Sequence, residues 1–313
     1  MLLLAAIDAG SNAIRMLVAG YEKGQIKRLR YERTTTRLAA GFSSKGKTIS
    51  PESMEDTVSA FRKYSGILSG LHVCRMRAVG TSALREAANS GELLERVLRE
   101  TGIGIDIIPE QKEAELSAKG VLRSLDLDRA LILDIGGGST EWTLARGKKA
   151  AGSGSFPVGV VKLAGLIKER GVEEGTEAAG KEAAMLARKL GEAAAPLPRG
   201  TTLVLTGGTG STLASIDAGL ARYEHEKIHG RVLPLARLKD ICGFLTALSP
   251  EQRKNVRGLE PDRADLIIPG IRLTINIMEF LAFEKVKISD TGLPEGIISE
   301  LAEDIPDETE ERF

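Results

Sequence analysis

Two stretches of this chain, "LAAIDAGSNAIRMLVAG" at residues 4–20 and "LILDIGGGSTEWTLARG" at residues 131–147, follow one plan. Each runs an apolar strand into an aspartate, sets a glycine two residues later and makes a short polar turn. Each then returns as a second alternating strand closed by glycine. Asp8 answers to Asp134, Gly10 to Gly136, Arg15 to Glu141 and Gly20 to Gly147. A third, looser copy, "TTLVLTGGTGSTLASI" at residues 201–216, runs its glycine turn into a helix instead. The repeated unit is the opening of a whole domain rather than a short solenoid period, so the echo points to a doubled domain plan.

Between these units strands and helices alternate, which implies α/β layers. Ser50-Pro51 supplies a polar cap followed by proline at the first helical position, and predicts a helix to about Leu68. "HVCRMRAVG" and "GIDIIP" read as strands, "TSALREAAN" as the start of a helix, and "EQKEAELSAKGVLRSL" as an amphipathic helix. Helices rich in Ala, Glu and Lys are expected from about Val158 to Ala194. The 313 residues suit two domains of ordinary size. We place the first over 1–126 and the second over 127–297, with a C-terminal helix at about 298–313 that can pack back on the first. The acidic tail "EDIPDETEERF" reads as a solvated terminus.

Lysine plus arginine equals aspartate plus glutamate at 43 each, so no global field draws in a nucleic acid polymer or an acidic membrane. The apolar start is broken by Asp8 and lacks a basic leader, so it is not read as a signal peptide. No stretch approaches the roughly 20 apolar residues that span a bilayer. Cys74 and Cys242 form no metal or redox motif, which fits a reducing cytoplasm.

Glycine-rich turns after strands expose successive backbone N–H groups, a concave site for an anion, and a Cβ there would block a phosphate. Ser11, Ser139 and Thr140 add hydroxyl donors. Carboxylates beside such turns repel phosphate unless they hold a divalent cation or handle a proton. Mg2+ takes one or two carboxylates together with phosphate oxygens and water. This gives Asp134 and Glu141, and with them Asp8, a reason to flank the turns.

The segments "IDAGSNAIRMLV", "VGTSALREAAN", "IIPEQKEAELSAKGV", "LDIGGGSTEWTL", "GSFPVGVVKL", "LTGGTGSTLASI" and "DRADLIIPG" carry a resemblance over nearly the whole chain. It resembles the exopolyphosphatase / guanosine pentaphosphate phosphatase (Ppx/GppA) family, a branch of the actin-like superfamily. The resemblance implies an α/β fold of two actin-like (ribonuclease H-like) domains flanking an interdomain cleft. It implies removal of a terminal phosphate by water, with polyphosphate or guanosine pentaphosphate as substrate and Mg2+, or another divalent cation, as cofactor. A homodimer follows by family analogy only. Glu113 matches the family's general base on the attacking water, and Asp134 and Glu141 would serve metal and water. Gly10, Ser11, Asn12 and Arg15 would bind phosphate from the first domain. Gly136, Gly137, Gly138, Ser139 and Thr140, with Gly207, Gly208 and Thr209, would do so from the second. Arg85 is placed as a phosphate clamp, because a guanidinium fork matches phosphate oxygens.

The chain departs from the family pattern around Glu113. Pro109 and Glu110 stand where Ser-Gly is usual, Lys112 replaces an acid, Glu115 replaces an arginine, and Pro294 replaces another arginine. These changes motivate one competing reading, a weakly catalytic sensor of polyphosphate or alarmone. Another is an actin-like ATPase or kinase with its adenosine pocket at "LTGGTGST". The chain ends soon after the domain pair, which favours short polyphosphate or a nucleotide over a long polymer. "HEKIH" at residues 225–229 fits the two-histidine zinc-protease pattern. Gly230 follows at once and no third ligand is placed downstream, so that reading is set aside.

Overall fold

The computed structural model describes residues 1–42 and 46–305. The described residues fall into two compact units, one of Met1–Phe42, Gly46–Pro109 and the residues from Leu293 on, the other of Glu110–Gly292.

The first unit opens with β1 (Leu2–Ala9), β2 (Ala13–Glu22) and β3 (Gln25–Thr35), followed by helix α1 (Pro51–Ser69) and β4 (Val73–Gly80). Helices α2 (Ser82–Glu86) and α3 (Ser90–Thr101) and a short β5 (Ile105–Ile107) complete the run. Ser50 caps α1 as expected, its side chain accepting from the N–H of Ser53 at 3.2 Å. Gly102 ends α3 in the left-handed conformation, φ 71°. The strands form one sheet in the order β3-β2-β1-β4-β5, antiparallel from β3 to β1 and parallel from β1 to β5.

The second unit runs α4 (Glu110–Ser124), β6 (Arg129–Ile135), β7 (Thr140–Arg146), β8 (Lys149–Phe156), α5 (Val160–Arg170), α6 (Val172–Ala193) and β9 (Thr202–Thr206). It continues through α7 (Gly207–Asp217), α8 (His225–Ile228), β10 (Val232–Pro234), α9 (Leu235–Ala247), α10 (Pro250–Arg253), α11 (Ile267–Phe280) and β11 (Lys285–Ile288). Its sheet order is β10-β11-β9-β6-β7-β8. Read from the other edge, β8-β7-β6-β9-β11 repeats the first sheet strand for strand and sense for sense, with β10 added antiparallel. The sequence echo is therefore a duplicated α/β fold, the class expected of the chain.

The main core of the second unit gathers Leu131, Leu133, Leu203 and Leu205 from the strands with Leu186, Leu213 and Ile271 from the helices. A smaller cluster lies where Ala118, Val121 and Leu122 of α4 meet Ala130, Ile132 and Ala145. This packing assigns α4 to the second unit, so the division falls at Pro109/Glu110 rather than at 126/127. The C-terminal helix α12 (Leu293–Glu303) begins earlier than anticipated and packs on β1, β2 and β4 of the first unit. The acidic tail and the remainder of the expected C-terminal helix, from 306 on, lie outside the described residues.

Candidate active site

The duplicated hairpins close in the same way. Gly10 N–H donates to Ala13 O (3.2 Å) and Gly136 N–H to Ser139 O (3.0 Å). A Cβ on either glycine would fall 3.1 Å from that same carbonyl, so both turns favour a residue without one. The carbonyls of each turn are tied to the segment that follows its third strand. Asn12 O accepts from the N–H groups of Thr36 (3.1 Å) and Arg37 (2.9 Å), and Ser11 O from Ala39 (3.0 Å). Gly136 O and Gly137 O accept from Val160 (3.0 Å) and Val161 (2.9 Å), the first residues of α5. Gly159 precedes that helix because a Cβ there would lie 2.4 Å from Gly137 O. Thr140 adds a bond from its Oγ1 to Val158 O, 2.6 Å.

Equivalent positions of the two hairpins carry different charges. Asp8 lies directly opposite Arg15, and Asp134 directly opposite Glu141. Opposed side chains in an antiparallel pair sit about 4.5–5.5 Å apart at Cβ and share a face. In the first unit the pair is an ion pair, with Asp8 1% and Arg15 25% exposed at the side chain. In the second unit it is two carboxylates in register, an arrangement that destabilises a sheet by itself.

Glu113 adds a third. It lies in the first turn of α4 and is 8% exposed, where the helix macrodipole favours an anion. Burial, then the charges of Glu113 and Asp134, push the Glu141 carboxyl well above its ordinary range, against bonds from the hydroxyls of Ser139 and Ser155. Ser155 Oγ donates to Glu141 Oε1 at 2.9 Å, and Ser117 Oγ to Asp134 Oδ2 at 2.5 Å. Gly207 opens α7 at φ +84°, and a Cβ there would stand 2.6 Å from Asp134 Oδ1, so the third glycine turn abuts the same carboxylate. Arg263 covers the neighbouring Gly208, where a Cβ would meet its Nη1 at 1.9 Å.

The second unit thus brings together Glu113, Asp134, Glu141, Ser139 and Gly207. The remaining residues of its two turns, Gly136–Gly138, Thr140, Gly208 and Thr209, adjoin them in sequence. The first unit holds Asp8, Gly10, Ser11, Asn12 and Arg15 on one hairpin. Arg85 is half-buried at the end of α2, its Nη1 donating to Ile108 O at 2.8 Å. Ser117, Ser155 and Arg263 were missed in the sequence. Ser117 was within reach, standing four residues after Glu113 and so on the same helical face. The departures Lys112 and Glu115 pair with each other at 3.2 Å on α4 and leave Glu113 on its buried face. His225 and His229 stack at 5.2 Å and serve Asp290: His225 Nδ1 lies 2.6 Å from its Oδ2, and the Asp290 N–H donates to His229 Nδ1.

Among the described residues no three or more His, Cys, Asp and Glu side chains form a ready-made ion site. Mg2+ needs only one or two protein carboxylates, and the opposed acids Asp134 and Glu141, with Glu141 raised by its neighbours, fit such an ion. Also among the described residues, no helix is long and apolar enough to cross a membrane, and Cys74 and Cys242 are free thiols.

Two α/β units, each built on an Asp-x-Gly hairpin of the same form and one of them carrying the acidic cluster of Glu113, Asp134 and Glu141, define the class. Residues 17–304 match the Ppx/GppA phosphatase family, and the chain belongs to it. It is similar to exopolyphosphatase 2 of Mycobacterium tuberculosis, 30% identical over 96% of this chain and 98% of that one. It is also 29% identical to the guanosine-5'-triphosphate,3'-diphosphate pyrophosphatase of Vibrio cholerae, over 98% of this chain but only 60% of the relative. Among solved structures, the Aquifex aeolicus member of the Ppx/GppA family superposes with a TM-score of 0.79 at 28% identity, covering 97% of this chain and 99% of that one.

Proposed function

We propose that this protein is a phosphohydrolase that releases terminal phosphate from inorganic polyphosphate, guanosine pentaphosphate or both, with Glu113 as general base. The observation that carries this reading is the acidic cluster of the second unit, Asp134 and Glu141 in register with Glu113 in electrostatic reach of Glu141. A cluster of like charges in a buried setting costs stability, and costs of that kind concentrate at functional sites.

Asp134 and Glu141 would hold Mg2+ or another divalent cation, which when bound neutralises charge on the phosphate being transferred. Glu113 accepts the proton of the attacking water, its carboxylate favoured by the N-terminus of α4. The backbone N–H groups from Gly137 to Thr140 and from Gly207 to Thr209 cradle phosphate oxygens, while Gly136 closes the turn through its N–H and the carbonyls of Gly136 and Gly137 are held by α5. On the first unit Ser11, Asn12 and Arg15 take a further phosphate at the turn that Gly10 permits, with Arg85 as an additional clamp. The ion pair with Arg15 favours Asp8 as the group that orients this arginine over a direct part in holding the metal. The exposed thiol of Cys74 suits a reducing cytoplasm.

The test is phosphate release by the purified protein with Mg2+ and with a chelator, on short polyphosphate, long polyphosphate, guanosine pentaphosphate and ATP. Mg2+-dependent release from one of the first three is the expected result. Release from ATP alone would make the protein an ATPase, and binding without release from any would make it a sensor.

A further inference from the structure

The row that holds Asp8 and Arg15 extends one strand further. Arg15 lies directly opposite Arg33 of β3, so Asp8, Arg15 and Arg33 line up across three strands on one face of the first sheet. Two guanidinium groups in adjacent register are an unusual choice for a strand pair, where like charges directly opposite are unfavourable. Arg33 Nη2 donates to Thr35 Oγ1 at 3.1 Å, which aims the guanidinium along β3 toward the turn end of the hairpin. Thr35 is paired with Ala13, next to Asn12, and Asn12 O is held by the N–H groups of Thr36 and Arg37. The second unit indicates what this position does. There the same row reads Asp134, Glu141 and Ser155, and Ser155 on the third strand donates to the Glu141 carboxylate at 2.9 Å. The third-strand position is thus one from which a side chain reaches the functional residue of the second strand.

From these observations we infer that Arg33 joins Arg15 in a two-arginine clamp for a phosphate of the substrate beyond the one that is removed. The inference rests on the phosphohydrolase reading for the identity of the ligand, a linear phosphoanhydride chain. Arg15, oriented by Asp8, and Arg33, oriented by Thr35, present two forks to neighbouring oxygens of a phosphate. Neither arginine moves a proton, so the clamp acts on binding and not on the chemical step.

The experiment is calorimetric binding of orthophosphate and of inorganic tripolyphosphate, without divalent cation, to the full chain and to Arg33→Ala, Arg33→Gln and Arg33→Lys. Thermal unfolding identifies any variant that does not fold, and the glutamine variant replaces the alanine one in that case. The wild type is expected to bind tripolyphosphate more tightly than orthophosphate. In Arg33→Ala or Arg33→Gln that gain should shrink roughly tenfold, the size of one charge-assisted contact, and Arg33→Lys should keep part of it. An unchanged gain in the variants, equal weakening of both ligands, or no gain in the wild type would overturn the clamp. Failure of phosphate release with tripolyphosphate binding intact would overturn the hydrolase reading and leave the clamp standing.

Discussion

Glu141 is the residue whose surroundings say most about the site. Its carboxyl is pushed above the ordinary value of 4.5 by burial and by two neighbouring acids. The metal-free folded chain therefore keeps a proton that the unfolded chain releases. Stability from this group is present at low pH and is lost as pH rises above about 4.5 toward the folded value. Glu141→Gln should accordingly raise the Tm of metal-free protein at pH 8 by roughly 2–4 °C, about 1 kcal/mol for a unit of this size. The difference should vanish near pH 4, and activity should be lost. A lower Tm than wild type at pH 8 would mean that another charge already balances the cluster. At the same scale, Lys112 and Glu115 look alarming beside Glu113 in the sequence, yet they satisfy each other on the helix surface. Reversing both, Lys112→Glu with Glu115→Lys, should leave kcat within about twofold, since exposed pairs contribute about 1 kcal/mol or less.

Helix α4 and the α5 junction are the elements that build the candidate site. The first sets Glu113 and Ser117 beside β6 and β7, and the second closes on the turn between those strands. Gly159→Ala would drive a Cβ to within 2.4 Å of Gly137 O, and backbone cannot yield as a side-chain tip does. The expected outcome is loss of phosphate release together with a fall in Tm, measured by melting and by activity at the same temperature. Leu116→Ala, at a fully buried position of α4, should cost about 2–5 kcal/mol and displace Glu113 with the helix. The helix itself was legible from its pattern, and its allegiance was not. An amphipathic stripe such as Ala118, Val121 and Leu122 states that a face is buried without stating against which sheet. The boundary was misplaced for that reason. Ser155 and Arg33 were hidden for a related one. Cross-strand neighbours are set by register, and register depends on turns and on irregularities such as the shift between Val18 and Ala19, which no spacing in the sequence reveals.

At the scale of the whole molecule the chain is one fold written twice with its charges rearranged. The duplication was legible because the Asp-x-Gly frame is a backbone requirement, a turn that closes from Gly10 to Ala13 and from Gly136 to Ser139. What the two copies do with it is chemical. On the proposed reading the row Asp8, Arg15, Arg33 takes an anion, and the row Asp134, Glu141, Ser155, with Glu113 in electrostatic reach of Glu141, takes a cation and a water. That the acidic unit carries the chemical step through Glu113 is the central claim, and steady-state phosphate release by Glu113→Gln tests it most directly. The account predicts a fall in kcat of about 10²–10⁴-fold, the range of a positioned general base, with KM little changed and the fold intact by melting. A Glu113→Gln protein that keeps the wild-type kcat would contradict it.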